Sequence, residues 1–155
     1  TFVALVDGRW RPVARKDADQ AVKVAPAADH PDNIYRMATG RALVAFAPDA
    51  VRERIVERHG LPGARWNKIR SRRALDRACA RIRERGACVI EDAGKEVVLF
   101  AVPVFTPPPA DEDGEGRLIG TLACSMPRYR STPEKLEGMI DDLQQEAETL
   151  GHRLD

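Results

Sequence analysis

The run Val97-Val98-Leu99-Phe100-Ala101-Val102-Pro103-Val104-Phe105 constrains this chain more than any other stretch. It is apolar on both of the sides that a strand presents alternately, so it fits a strand covered on both faces and not one with a wet side. Such a strand needs a layer above it and a layer below it. Residues 117–125 can return as its antiparallel partner after a loop, residues 106–116, that is rich in proline and acid. Cys88-Val89-Ile90 precedes it across the polar turn of residues 91–96 and reads as a further strand.

Upstream, residues 2–6 alternate apolar and small side chains, Asp7-Gly8 is a hairpin signal, and residues 10–14 can form the return strand. Pro12 puts that strand at an edge or a bulge. Residues 21–25, closed by Pro26, are another short strand candidate. Residues 34–48 read as a short helix of small residues, in which Gly40 costs about 1 kcal/mol relative to alanine. Glycine is useful there where another backbone or a ligand comes within contact distance, and Ala38, Ala42 and Ala45 extend the same low-relief face. The beginning of this helix offers unpaired N–H groups and a positive dipole end suited to a small anion; on the residues alone, a packed core helix is the favoured reading.

Pro48 opens a second helix, with Val51, Ile55 and His59 on one stripe and Gly60 as its cap. After a loop over residues 61–70, Ser71 caps a third helix carrying Leu75, Ala78, Cys79 and Ile82 on one side and ending at Arg85-Gly86. Arg65, Lys68, Arg70, Arg72, Arg73, Arg77, Arg81, Arg83 and Arg85 crowd this part of the chain against Asp76 and Glu84; such a run is usually a solvated face. Ser131-Thr132-Pro133-Glu134 starts a long final helix with a helical stripe from Leu136 to Leu154. Strands, three helices, strands and a helix, in that order, predict an α+β domain with helices packed on an antiparallel sheet.

With 155 residues, 43% hydrophobic and 32% charged, the chain is long enough for a single domain with a real core. No apolar run reaches the roughly 20 residues that span a bilayer, and the N-terminus lacks a signal-peptide pattern, so no membrane partner and a cytoplasmic location are expected. Cys79, Cys88 and Cys124 stand apart among apolar neighbours and suggest buried free thiols. His30, His59 and His152 show no metal-ligand spacing, and no nucleotide-binding, elbow or protease pattern is present, so neither a metal, nor a cofactor, nor an enzyme is expected. A net charge of +1 argues against a nucleic-acid surface over the whole chain.

Together these pieces resemble a known family. Met37-Ala38-Thr39-Gly40-Arg41-Ala42-Leu43-Val44-Ala45-Phe46-Ala47-Pro48 is similar to the "ATAxGKALLAFLP" signature of the IclR family of transcriptional regulators. Leu75 with Ile82-Arg83-Glu84-Arg85-Gly86, then Ala101-Val102-Pro103-Val104-Phe105, then residues 120–127 resemble three further motifs in the family's order. The resemblance covers essentially the whole chain and concerns the effector-binding half of these regulators. It implies a GAF-like fold, an antiparallel sheet of about six strands flanked by helices, with a small effector held between sheet and helices. It also implies a homodimer or homotetramer. DNA would be bound only through a winged helix-turn-helix domain not contained here, so that residues 1–155 are one effector domain cut from a longer regulator.

Carried across position by position, the resemblance makes Ala38, Thr39 and Gly40 the groups that meet a carboxylate. Glu91, or Asp92 if the turn shifts by one, takes the acidic position; Leu99, Ala101, Ala123 and Ser125 take the strand positions. Tyr35 and Met37 replace the usual His and Ser or Thr, and Trp66-Asn67-Lys68 replaces a Thr-rich stretch. The expected ligand is therefore a small organic acid with an apolar or aromatic body, lying against Met37, Leu99 and Ala123 with Tyr35 or Trp66 at the mouth. A ligand-free oligomerisation module is the alternative reading.

Overall fold

The structure, a computed structural model, describes residues 1–6, 9–14, 34–91, 96–108 and 116–154. In chain order they form strands β1 (Phe2–Val6) and β2 (Arg9–Ala14), helices α1 (Ala38–Phe46), α2 (Asp49–His59) and α3 (Arg72–Arg85), strands β3 (Cys88–Glu91), β4 (Val97–Phe105) and β5 (Leu118–Pro127), a 3-10 turn (Arg128–Arg130), and helix α4 (Pro133–Arg153). The class is α+β, as the element order predicts. The strands make one antiparallel sheet in the order β2-β1-β5-β4-β3. The described residues thus supply five strands where about six are expected. The additional candidate, residues 21–25, lies outside them.

The apolar run is β4, and its composition follows from its place between β3 and β5 with a helix on each side. Val98, Phe100, Val102 and Val104 turn one way, into a cluster with Met126 and with Leu136, Ile140 and Ala147 of α4. Leu99 and Ala101 turn the other way, toward Ala38 and Ala42 of α1. Pro12 sits in β2, an edge strand of the sheet among the described residues, and the pairing of β1 with β2 shifts register beside it.

Local chemistry sets most helix ends. The Ser71 hydroxyl accepts from Ala74 N at 3.2 Å and starts α3, and Gly86 ends it in the left-handed region (φ 72°). The Thr132 hydroxyl accepts from Lys135 N at 3.3 Å, with Pro133 in the first turn of α4. The helix beginning in the small-residue stretch is shorter than expected, because residues 34–36 form a turn that folds back over it. Its C-terminal end is closed by arginines from its neighbours: Arg83 donates to the Ala45 carbonyl at 2.7 Å and Arg52 to that of Ala47 at 3.3 Å. A separate core joins α1, α2 and α3 through Tyr35, Val44, Ile55, Trp66, Ile69, Leu75 and Cys79. No helix among the described residues is long and apolar enough to cross a membrane.

Candidate functional site

Pairing between the strands lays out the sheet face beneath α1. Cys88, Ala101 and Ala123 form one row across β3, β4 and β5, and Ile90, Leu99 and Ser125 form the next. Val3, Thr121 and Pro103 form a row on the other side of the alanines. Period-two alternation puts all of these on one face. Ala38 and Ala42, one helical turn apart, close over Cys88, Ile90 and Ala101, with Leu99, Ala123 and Ile82 at the margin. Cys88 and Ala101 are buried, Leu99 and Ala123 half-buried and Ser125 exposed, so this face opens toward the Ser125 row.

The start of α1 lies above it. Met37 is the N-cap, extended, and contributes no side-chain bond; Arg41 N donates to Met37 O at 3.0 Å. The N–H groups of Ala38, Thr39 and Gly40 come ahead of that bond, at the positive end of the helix, on residues that are buried. The Thr39 carbonyl accepts from the Thr121 hydroxyl at 3.4 Å, which fixes the first turn of α1 over β5. Thr39 is 5% exposed, and its hydroxyl has no hydrogen-bond partner; it is the buried side-chain polar atom left unsatisfied among the described residues. An unpartnered buried hydroxyl is costly and calls for an explanation.

Gly40 has a purely internal reason to be glycine. A Cβ there would stand 2.6 Å from the Ile34 carbonyl carbon and closer still to its oxygen, so the turn before α1 occupies the space that a side chain would need. The close approach at this glycine is therefore made by the chain's own backbone.

Not every expected residue comes to this face. Tyr35 is fully buried in the α1–α2–α3 core, donates its hydroxyl to the Gly60 carbonyl at 2.8 Å, and carries Arg65 over its ring at 5.2 Å. Trp66 lies in the same core, with the Arg41 guanidinium 5.2 Å over its ring while Arg41 also donates to the carbonyls of Tyr35 and Arg65. Both rings thus anchor the helices to one another and neither stands at a mouth. Glu91 pairs with Val98, whose side chain faces α4, so the strand alternation turns Glu91 away from Leu99 and Ser125; Asp92 lies outside the described residues. Ala38, Leu99, Ala101 and Ala123 do converge, with Thr39 above them and Met37 half-buried beside them.

Three neighbours of this face escaped the sequence reading. Thr121 is two residues from Ala123 and four from Ser125, a spacing that puts it on their side of β5, and Cys88 and Ile90 alternate in the same way on β3. Burial pushes the Cys88 thiol up to about 12, against the opposing charges of Arg41 and Arg85, so it stays a neutral, inert wall. Among the described residues no group of His, Cys, Asp and Glu side chains converges as a metal site.

The family described as bacterial transcriptional regulator IclR C-terminal matches residues 9–152. No curated protein matches by sequence. Among solved structures, a double mutant of the PobR transcription factor inducer-binding domain from Acinetobacter, in complex with 3-hydroxybenzoic acid, superposes with a TM-score of 0.71 at 22% identity, covering 97% of this chain and 86% of that one. The C-terminal domain of the E. coli transcriptional regulator KdgR gives 0.67 at 22% identity over 94% of this chain and 80% of its own. The Thermotoga maritima IclR gives 0.65 at 22% identity, with 99% of this chain matching 60% of that longer protein. These likenesses concern the fold.

Proposed function

The chain belongs to the family of bacterial transcriptional regulator IclR C-terminal domains, and from that premise we propose that it senses a small organic acid with an apolar or aromatic body. The carboxylate would dock at the first turn of α1, on the N–H groups of Ala38, Thr39 and Gly40 and on the Thr39 hydroxyl. The body would lie on the alanine row of β4 and β5, against Leu99, Ala101 and Ala123, with Met37 and Ser125 at the open end. The observation that carries this reading is the Thr39 hydroxyl, buried and unpartnered at an uncapped helix start above a floor of small residues. A carboxylate oxygen there would accept from it and remove the penalty. The 3-hydroxybenzoic acid bound by the PobR domain has the size and chemistry that such a site would take.

In a longer regulator, ligand binding would favour one arrangement of the oligomer and so change DNA binding through a further domain. The shift can be no larger than the ligand's differential affinity for the two arrangements. No catalytic step is part of this proposal.

The test is a thermal-shift and calorimetric panel of hydroxybenzoates and short 2-oxo acids, each paired with its amide. An acid at about 100 times its Kd should raise Tm by about 5–10 °C, and its amide should not. If no acid gives a saturable shift or heat at millimolar concentration, the sensor reading fails and a ligand-free oligomerisation module takes its place.

A further inference from the structure

Two arginines and two aromatic rings interlock beside the start of α1. The Arg41 guanidinium lies 5.2 Å over the Trp66 ring and donates to the Tyr35 carbonyl at 2.7 Å and to the Arg65 carbonyl at 3.0 Å. Arg65 in turn lies 5.2 Å over the Tyr35 ring and donates to the carbonyls of His59, Leu61 and Pro62, and the Tyr35 hydroxyl closes the circuit on the Gly60 carbonyl. Three pieces of chain meet here: the turn of residues 34–36, α1, and the segment of residues 59–66. Arg41 belongs to α1 and binds the other two. Two carbonyls and a ring held at once are a task for a planar fork of donors, which lysine does not have.

The turn that Arg41 ties down stands directly in front of the carboxylate position. The Ile34 carbonyl fills the space beside Gly40, and the Tyr35 carbonyl that Arg41 takes is the next one along. The Arg41 N–H makes the bond to Met37 O that follows the unbonded groups of Ala38, Thr39 and Gly40. Its charge also reaches the face beneath α1, for among the charges acting on the Cys88 thiol that of Arg41 is the largest. Ala38, Thr39, Leu99, Ala101 and Ala123 are all uncharged, and a helix start supplies only partial charge. A carboxylate that leaves water for this face needs a formal countercharge from behind it.

Resting on the sensor reading above, we infer that Arg41 is the positioning residue for the acid: it pins the turn of residues 34–36 beside the first turn of α1 and sets a formal positive charge behind the carboxylate. Its Nε and one Nη are taken by carbonyls, so it acts through the turn and through its field and not by touching the ligand. The consequence is specificity, a preference for the acid over a neutral ligand of the same shape.

The test is calorimetry on Arg41→Gln and Arg41→Lys with an acid from the panel that binds the parent, its amide measured by competition, and circular dichroism checking each fold. Arg41→Gln should weaken the acid at least about tenfold, and Arg41→Lys, which keeps the charge without the fork, about threefold. The amide should change less than about twofold in both, whereas a merely structural role would weaken acid and amide alike. Arg73→Gln, which removes a charge from an exposed position of α3, should move neither. In the ligand-free protein, backbone hydrogen exchange at residues 34–36 should quicken about tenfold in both Arg41 variants, since neither side chain spans the two carbonyls. The parent itself should lose affinity for the acid, and not for the amide, between about 0.05 M and about 0.5 M salt, which keeps the test open where a variant does not fold. Acid affinity within twofold of the parent in Arg41→Gln, equal losses for acid and amide, a lysine variant as weak as the glutamine one, or unchanged exchange would each overturn the inference and leave the sensor reading standing. A parent that binds no acid overturns both.

Discussion

On the α4 side of the sheet, Val98, Phe100, Val102 and Val104 interdigitate with Leu136, Ile140 and Ala147, a layer of large side chains with the Phe100 ring fully buried. On the α1 side the same strands present Ala101, Ala123 and Cys88 to Ala38 and Ala42, and a threonine hydroxyl is left without a partner. Consecutive residues of one strand therefore do different work. The even-numbered positions 98–104 of β4 supply apolar area and so stability, and Ala101 keeps the relief low under α1. Two-sided packing lets one apolar strand hold the domain together through large side chains on one face while small ones meet the helix on the other.

Adjacent substitutions should separate the two roles. Phe100→Ala empties a fully buried ring site and should lower stability by about 4 kcal/mol, or about 8–16 °C in Tm, while the affinity of any acid found by the panel changes less than threefold. Ala123→Leu, on a half-buried position of the other face, should change stability by less than about 1 kcal/mol and weaken the acid at least about tenfold. Equal effects of the two variants on affinity, read by calorimetry, would collapse the distinction between the faces.

Gly40→Ala comes next. The added methyl would overlap the Ile34 carbonyl, so the turn of residues 34–36 must move, and a loss of about 2–3 kcal/mol in a denaturant titration is expected. Since that loss arises inside the chain, weaker ligand binding by this variant says nothing about a contact between Gly40 and ligand. A stability within about 0.5 kcal/mol of the parent would mean that the turn does not sit where the structure has it.

Local signals carried much of this architecture. Ser71, Gly86 and Thr132-Pro133 mark helix ends by chemistry confined to a few residues, and the double-sided apolar pattern of residues 97–105 names the covered strand. Leu99, Ala101 and Ala123 were supplied by the family resemblance, and alternation with a period of two is what puts them on one face of the sheet. What was lost depended on parity or on distant partners. Glu91 changes face with a one-residue difference in register, and the register is set by pairing with Val98. Tyr35 and Trp66 are aromatic residues beside the motif, but the Gly60 carbonyl and the stacked guanidinium groups that draw them into the helical core come from other segments. The arginine run likewise resolves only through other segments, since Glu53, the Ala45 carbonyl and Glu137 hold Arg72, Arg83 and Arg85.

The buried thiols contribute a smaller, pH-dependent effect that again distinguishes regions. Burial raises Cys88 to about 12 and Cys79 to about 11, above the ordinary 9.0 of an unfolded cysteine. The unfolded chain therefore releases these protons first, and the stabilisation, complete below pH 9.0, is lost as pH rises through about 11 and about 12, at up to about 1.4 kcal/mol per pH unit for each thiol. Cys88→Ala should flatten the alkaline limb of stability against pH. Native-state alkylation should reach the half-buried Cys124 first; equal labelling of all three thiols would show that the α1 face is wetter than its packing implies.

The smallest effect has the most telling sign. Thr39→Val keeps the shape of the side chain and removes a hydroxyl that is buried without a partner, so the ligand-free protein should gain about 1 kcal/mol, or about 2–4 °C in Tm. Most core substitutions destabilise, and a gain from removing a polar atom is expected only where that atom satisfies nothing in the resting state. The acid should bind the valine variant about tenfold more weakly, because the hydrogen bond that offset the burial of the hydroxyl is formed only in the complex. Lower Tm with unchanged affinity would mean that Thr39 is held by an interaction within the domain, and the α1 face would then be as much a closed core as the α4 face.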